Sequence, residues 1–229
     1  MKLLIWDFDG TLAFREGLWS DALAEVAWAH VPGCHAARED FVPYLQSGFP
    51  WHRPLLPHTH ITSAEQWWQN LTPVITDAIT AVTGISTAQA GQLVPHVREA
   101  FVDPRRWQLF GDVIPCLHAL TSVGWKHVVL SNHVPELPDL IEALGLTPHI
   151  ANTFSSATLG YEKPHPQSFK MVLAAYPSAQ AVMVGDNYSV DVQGAEATGL
   201  SAILVRKPHV EATIFHESLT TLPSALAGA

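Results

Sequence analysis

Two carboxylates, Asp7 and Asp9, follow the apolar run Leu3-Leu4-Ile5-Trp6 and precede Gly10. So close together they repel each other and call for a counter-charge, and a divalent magnesium ion, which prefers oxygen ligands, supplies one. Downstream stand Ser131-Asn132, then Lys163, then Asp186 with Asp191 five residues on. Asp7 and Asp9 with Ser131, Lys163 and Asp186 provide a nucleophile, an acid/base, phosphate clamps and a metal ligand, the parts that phosphoryl transfer needs. Each has an ordinary reading alone: Asp-x-Asp-Gly is also a turn, Ser131 also a helix cap, Lys163 also a solvated surface lysine.

These residues need elements that bring them to one place. The run before Asp7 is too short for a helix and lacks polar alternation, which suits a strand covered on both faces. His127–Leu130 and Ala181–Val184 read the same way, so three strands end in polar residues, at Asp7/Asp9, Ser131/Asn132 and Asp186. Right-handed crossovers bring such ends to one edge of a parallel sheet, where ligands bind. Helices are expected over 112–122, capped by Asp112, and over 135–144, 166–176 and 190–198, with short strands at 150–154 and 202–205 and a weakly patterned tail. Residues 13–106 read as helical instead. The spacing predicts helices over 17–30, 37–46, 64–82 and 87–101, the last two opened by the capping boxes Ser63/Gln66 and Ser86/Gln89. Prolines at 50, 54 and 57 make 48–62 an irregular loop, and its His52, His58 and His60 lack the fixed spacing of a metal-binding pair.

The chain has 229 residues, 48% of them hydrophobic and 14% charged, as expected of a folded soluble protein. A net charge of -9 argues against a nucleic-acid partner, which needs a basic stripe. Cys34 and Cys116 show no metal-ligand spacing and read as reduced thiols. With no secretory or membrane-spanning run, the expected location is the cytoplasm and no membrane contact is expected. A monomer or a dimer fits.

At this point the sequence resembles the haloacid dehalogenase-like hydrolase superfamily. Its first motif is Asp7-Phe8-Asp9-Gly10-Thr11-Leu12, the second Leu130-Ser131-Asn132, the third Lys163-Pro164, and the fourth Gly185-Asp186-Asn187 through Asp191 to Gly194-Ala195. The resemblance implies an α/β fold: a Rossmann-like parallel-sheet core over residues 1–13 and 107–229, with an inserted all-helical cap domain over 14–106. It implies that Asp7 is the nucleophile and Asp9 the acid/base. Mg²⁺ would be held by the Asp7 and Asp186 carboxylates and the Asp9 carbonyl, with Asp191 serving Lys163 or metal-bound water. Ser131, the Asn132 backbone and Lys163 would bind phosphate, and Gly10 and Thr11 could add backbone N–H groups. On the cap side Arg15, Glu16 and Trp19, and on the core side His133, are the candidate substrate residues.

The function this implies is a Mg²⁺-dependent phosphatase that hydrolyses a small phosphorylated metabolite through an aspartyl-phosphate. Dehalogenases of the same superfamily lack the second aspartate of the first motif, which is present here as Asp9. A phosphomutase of the β-phosphoglucomutase type is the alternative within the family. It must hold a distal phosphate, and residues 13–106 contain no lysine and six arginines, two of them at the boundary. A non-catalytic binding protein on the same fold would have little reason to keep Asp7, Asp9, Lys163 and Asp186 together.

Overall fold

The strand that delivers Asp7, β1 (Lys2–Trp6), runs through the middle of a parallel sheet. The computed structural model describes residues 1–227. In chain order the elements are β1; β2 (Ala13–Phe14); α1 (Leu18–His30); α2 (Arg38–Phe41); α3 (Ala64–Thr83); α4 (Thr87–Val102); β3 (Gln108–Leu109); α5 (Val113–Ser122); and β4 (Trp125–Ser131). There follow α6 (Leu137–Ala143); β5 (Ile150–Ser155); α7 (Ser156–Leu159); α8 (Pro166–Ala175); β6 (Gln180–Gly185); α9 (Gln193–Glu196); β7 (Ser201–Val205); β8 (Phe215–His216); and α10 (Leu222–Leu226). Six strands form one sheet in the order β5-β4-β1-β6-β7-β8, parallel at every pairing. This is the expected Rossmann-like α/β fold.

Side-chain alternation divides β1 between two apolar layers. Leu3 and Ile5 pack on one face with Phe169 and Val172 of α8 and Ala195 of α9. Leu4 and Trp6 face α5, α6 and the helices of residues 18–102. All four are fully buried, which explains an apolar run without polar interruption. Ile5→Ala would cost about 2–5 kcal/mol, because a cavity is added to the lost transfer energy.

The helical segment also starts from local chemistry. Ser63 and Ser86 accept the N–H groups of Gln66 and Gln89, the expected caps. Proline limits the expected 37–46 helix: α2 ends at Phe41 and a 3₁₀ turn over Val42–Leu45 takes in Pro43, which cannot donate to an α-helical ladder. The segment leaves and rejoins the sheet through β2 and β3, an antiparallel pair matching Ala13 with Leu109 and Phe14 with Gln108.

Four further expectations need correction. Asp112 stands at the start of α5 without capping it; its carboxylate takes Arg206 at 2.7 Å and the Leu219 N–H at 2.9 Å, partners from the far end of the chain. The expected 135–144 helix begins only at Leu137, after a turn containing Pro135. The expected 190–198 helix opens with a π-type turn over Tyr188–Val192 before the short α9. The tail is ordered: β8 adds a sixth strand, and Leu219, Leu222 and Leu226 are buried in the core.

Candidate active site

The segment after β1 is a tight loop rather than a free extension of the strand. Leu12 and Ala13 both donate to the Phe8 carbonyl, at 2.9 and 3.0 Å, and Gly10 N–H donates to the Ala13 carbonyl at 2.8 Å. Gly10 adopts φ +80°, and a Cβ there would lie 2.3 Å from Asp186 Oδ2, so both the turn and the approach of Asp186 require glycine. This corrects the expectation for Gly10 and Thr11. Their N–H groups close the loop, Thr11 donating to the Phe8 carbonyl, and the Thr11 side chain is wholly buried. Among the described residues the N–H groups of Phe8 and Asp9 meet no acceptor, which makes them the loop donors open to an anion.

Asp7 ends beside both other strand-end motifs. Its Oδ1 accepts from Ser131 Oγ at 2.8 Å and from Lys163 Nζ at 2.8 Å, while Lys163 Nζ also meets Asp191 Oδ1 at 2.6 Å. Asp191 in turn accepts the Asn187 N–H on Oδ2 at 3.0 Å. A Cβ at Gly185 would lie 2.2 Å from Asp191 Oδ2, so a larger residue there would displace the carboxylate. Asn132 holds the lysine's backbone, with Nδ2 donating to the Lys163 carbonyl and Oδ1 accepting the Lys163 N–H. Burial works against the Lys163 ammonium, but the two adjacent carboxylates outweigh it and its pKa is raised, so it stays charged.

Asp9 stands apart from this network. Burial, reinforced by the negative charges of Asp7 and Asp186, pushes its carboxyl up to about 7. A carboxyl that is partly protonated near neutrality can give its proton to a leaving oxygen. Burial and Asp7 also raise the Asp186 pKa, although Lys207 Nζ lies 2.5 Å from Asp186 Oδ2. Lys207 escapes a motif search, yet it follows β7 by two residues, at the same sheet edge as the other strand ends.

Oxygens of Asp7, Asp186 and Asp191, all buried, lie within 4.8 Å of one another, the one such acidic cluster among the described residues. A set of carboxylate oxygens fits a hard divalent cation such as Mg²⁺. Both Asp191 oxygens are already engaged, by Lys163 and by the Asn187 N–H, which leaves Asp7 and Asp186 as the available side-chain donors.

A cavity of about 480 Å³ opens over these groups, bounded on the core side by Asp7, Asp9, Ser131, Asn132, Lys163 and Asp186. Its opposite wall comes from the helical segment: Leu18, Trp19, Trp51, Pro54 and Phe101. Trp19 therefore faces the site, stacked on Phe101 with ring centroids 4.0 Å apart. His133 also lines it, caged by Phe8, Phe101 and Trp107; burial lowers its pKa to about 4, so the ring is neutral. Trp51 and Phe101 carry no signal in a single sequence that distinguishes them from core residues.

Arg15 and Glu16 do not reach the cavity. The Arg15 guanidinium is buried against the Ala100 and Phe101 carbonyls, Asp21 and Glu25, and Glu16 pairs on the surface with Arg38 at 2.7 Å. In the proline-rich loop, His52 accepts the Phe49 N–H, whereas His58 is buried with Nε2 3.1 Å from Oε1 of the fully buried Glu162.

A family model described as haloacid dehalogenase-like hydrolase matches residues 1–199. The chain belongs to that family. A haloacid dehalogenase-like hydrolase domain-containing protein 3 from Mus musculus is 32% identical over 211 residues, covering 90% of this chain and 82% of the relative. A phosphoserine phosphatase from Thermus thermophilus is 29% identical over 228 residues, covering 90% and 88%. The solved structure of a haloacid dehalogenase-family phosphatase from Thermococcus onnurineus superimposes with a TM-score of 0.68 at 21% identity, covering 100% of this chain and 99% of that one. That likeness speaks for the fold. The hydrolase family thus accounts for the parallel sheet and for the four motifs at its edge.

Proposed function

We propose that this hydrolase is a Mg²⁺-dependent phosphatase acting on a small phosphomonoester through an aspartyl-phosphate on Asp7. The observation that carries the reading is the division of labour between two neighbouring carboxyls. Asp7 is fixed by Ser131 and Lys163 through one oxygen, while Asp9 lines the same cavity outside that network, its carboxyl pushed up by burial to about 7, where it can both give and take a proton. The other Asp7 oxygen attacks phosphorus as the bond to the leaving oxygen breaks, and Asp9 protonates that oxygen. Asp9 then takes a proton from water, which hydrolyses the acyl phosphate and regenerates Asp7. Ser131 and Lys163 meet the phosphate oxygens with a hydroxyl donor and a positive charge. Asp7, Asp186 and the Asp9 carbonyl would hold Mg²⁺, which when bound supplies positive charge against the phosphate.

The phosphoserine phosphatase among the relatives supports phosphomonoester hydrolysis without fixing the substrate. Residues 14–106 would act as a cap over a core of residues 1–13 and 107–229. Among the described residues no charged side chain of 14–106 lines the cavity, which favours hydrolysis over a mutase's need to grip a second phosphate. The free thiols of Cys34 and Cys116 support a reducing, cytoplasmic setting.

Phosphate release from acetyl phosphate, measured with Mg²⁺ and after metal stripping in chelator, tests the reading. Turnover should require the metal and be abolished in Asp7→Asn. Metal-independent turnover, or an active Asp7→Asn variant, would overturn it.

A further inference from the structure

We infer that the substrate's leaving alcohol carries an uncharged aromatic ring, held against Trp51 at the open end of the tryptophan series on the helical wall. This rests on the phosphatase reading above, because it places the phosphate against Asp7, Ser131 and Lys163 on the core side. The rest of the cavity must then receive the alcohol, and its far wall is apolar: Leu18, Trp19, Trp51, Pro54 and Phe101. Three of these five are aromatic, and they continue a packed series. Trp19 stacks on Phe101 at 4.0 Å, Phe49 on Trp51 at 4.6 Å, and Trp19 meets Trp51 at 6.1 Å. Trp19 is largely covered, but Trp51 is half-exposed at the end of the series, where a further ring can stack on it.

Charge points the same way. A carboxylate or second phosphate on the alcohol would need a cation facing it from this wall, and among the described residues none lines the cavity from that side. Of the arginines close in sequence to these wall residues, Arg15 is committed to Asp21 and Glu25, Arg98 to Glu65 and Glu136, and Arg106 to Glu25, while Arg53, between Trp51 and Pro54, is exposed and does not line the cavity. Of the two lysines at the cavity, Lys163 is held by Asp7 and Asp191 at the phosphate end. Lys207 comes from the core beside Asp186. Burying an ionised group against this wall without a partner is costly, whereas burying a ring is favourable.

The test compares alkyl phosphates whose leaving alcohols differ little in acidity: 2-phenylethyl phosphate, glycerol 1-phosphate and O-phosphoserine. Acetyl phosphate reports phosphatase chemistry independently. For the wild-type enzyme with Mg²⁺, kcat/KM for the phenylethyl ester should exceed the other two by about tenfold or more, the discrimination available from burying one ring. The Trp51→Ala variant should lower kcat/KM for that ester about tenfold more than for phosphoserine, and Trp51→Phe should restore most of the difference. 2-Phenylethylphosphonate should compete with substrate in the wild type and more weakly in Trp51→Ala. Equal or better turnover of phosphoserine or glycerol phosphate, with acetyl phosphate hydrolysed normally, would overturn the aromatic assignment and leave the phosphatase reading standing. Failure on all four compounds would overturn both.

Discussion

The Lys163 ammonium and the Asp191 carboxylate lie 2.6 Å apart, each no more than 2% exposed, with Asp7 on the lysine's other side at 2.8 Å. The lysine therefore compensates two buried negative charges at once, and substitutions on the two sides should differ. Lys163→Met leaves both carboxylates buried together, so it should abolish turnover and cost about 3–5 kcal/mol in urea unfolding. Asp191→Asn keeps the shape and leaves Lys163 paired with Asp7, so the fold should survive while kcat falls about 100-fold as the ammonium loses its fixed position. A neutral effect of Lys163→Met on both measurements would contradict this arrangement.

Asp9 is assigned both proton transfers, and the two can be separated. Acetyl phosphate has a good leaving group and needs little acid help, whereas hydrolysis of the aspartyl-phosphate still needs a base. Asp9→Asn should therefore accumulate phosphoryl group on the peptide containing Asp7, detectable by mass spectrometry after an acid quench, with steady-state turnover down by about 10²–10⁴. Complete turnover with no trapped adduct would count against Asp9 as the base.

Beneath the site, Trp6 Nε1 donates to His127 Nδ1 at 3.0 Å, and His127 Nε2 lies 3.1 Å from Thr121 Oγ1. The ring must accept from Trp6, so it is neutral with its proton on Nε2, and burial lowers its pKa from 6.5 to about 4. Between those values the unfolded chain binds the proton and the folded chain does not. The stability this contributes is therefore complete above pH 6.5 and lost progressively as the pH falls to about 4, roughly 3 kcal/mol in all. His127→Gln, which can accept from Trp6 and donate to Thr121 without titrating, should show a smaller loss between pH 7 and pH 4.5 in urea unfolding. An unchanged loss would place the acid sensitivity elsewhere.

How much of this is legible in the sequence depends on how local each cause is. The ends of β1, β4 and β6 are visible because a buried parallel strand is an uninterrupted apolar run and its polar terminus stands out. The caps at Ser63 and Ser86 rest on a three-residue spacing. Asp112 has equally good capping chemistry, but Arg206, 94 residues away, takes its carboxylate, a competition no local pattern reveals. The ladder of β2 and β3 is two residues per strand, too short for alternation, and β8 is just as short. Lys207 follows from the same edge rule that picks out Asp186, given that β7 belongs to the sheet. Trp51 sits in an irregular stretch, where nothing in the sequence tells a cavity wall from a core.

Arg15 illustrates the reverse case, a charged residue near the first motif that holds structure together. Its side chain is 1% exposed, with Asp21 and Glu25 each at 3.5 Å. Removing the guanidinium leaves the partly buried Asp21 carboxylate and two backbone carbonyls without their donor, and Glu25 with Arg106 alone. Arg15→Ala should lower stability by about 3 kcal/mol, while the ratio of kcat/KM between any two phosphate esters stays as in the wild type. A changed ratio with unchanged stability would return Arg15 to the substrate site.

The acidic cluster makes a prediction about stability that runs opposite to its effect on activity. A carboxylate whose pKa is raised on folding contributes stability while protonated at low pH, and loses it as the pH rises through the folded value. Asp186 is such a group, raised by burial and by Asp7 in spite of Lys207. At pH 7 without metal its charge therefore works against the folded state. Asp186→Asn should stabilise the metal-free protein by on the order of 1 kcal/mol, since Lys207 is 73% exposed and loses little when its partner becomes neutral. Mg²⁺ should reverse the order. Binding to the folded wild type raises its melting temperature with increasing metal concentration, whereas the variant, lacking one of the two proposed carboxylate donors, should respond weakly and have little phosphatase activity. Thermal unfolding with and without Mg²⁺ reads both effects. A metal-free variant less stable than the wild type, or one stabilised by Mg²⁺ as strongly, would show that Asp186 is not a repelled metal ligand.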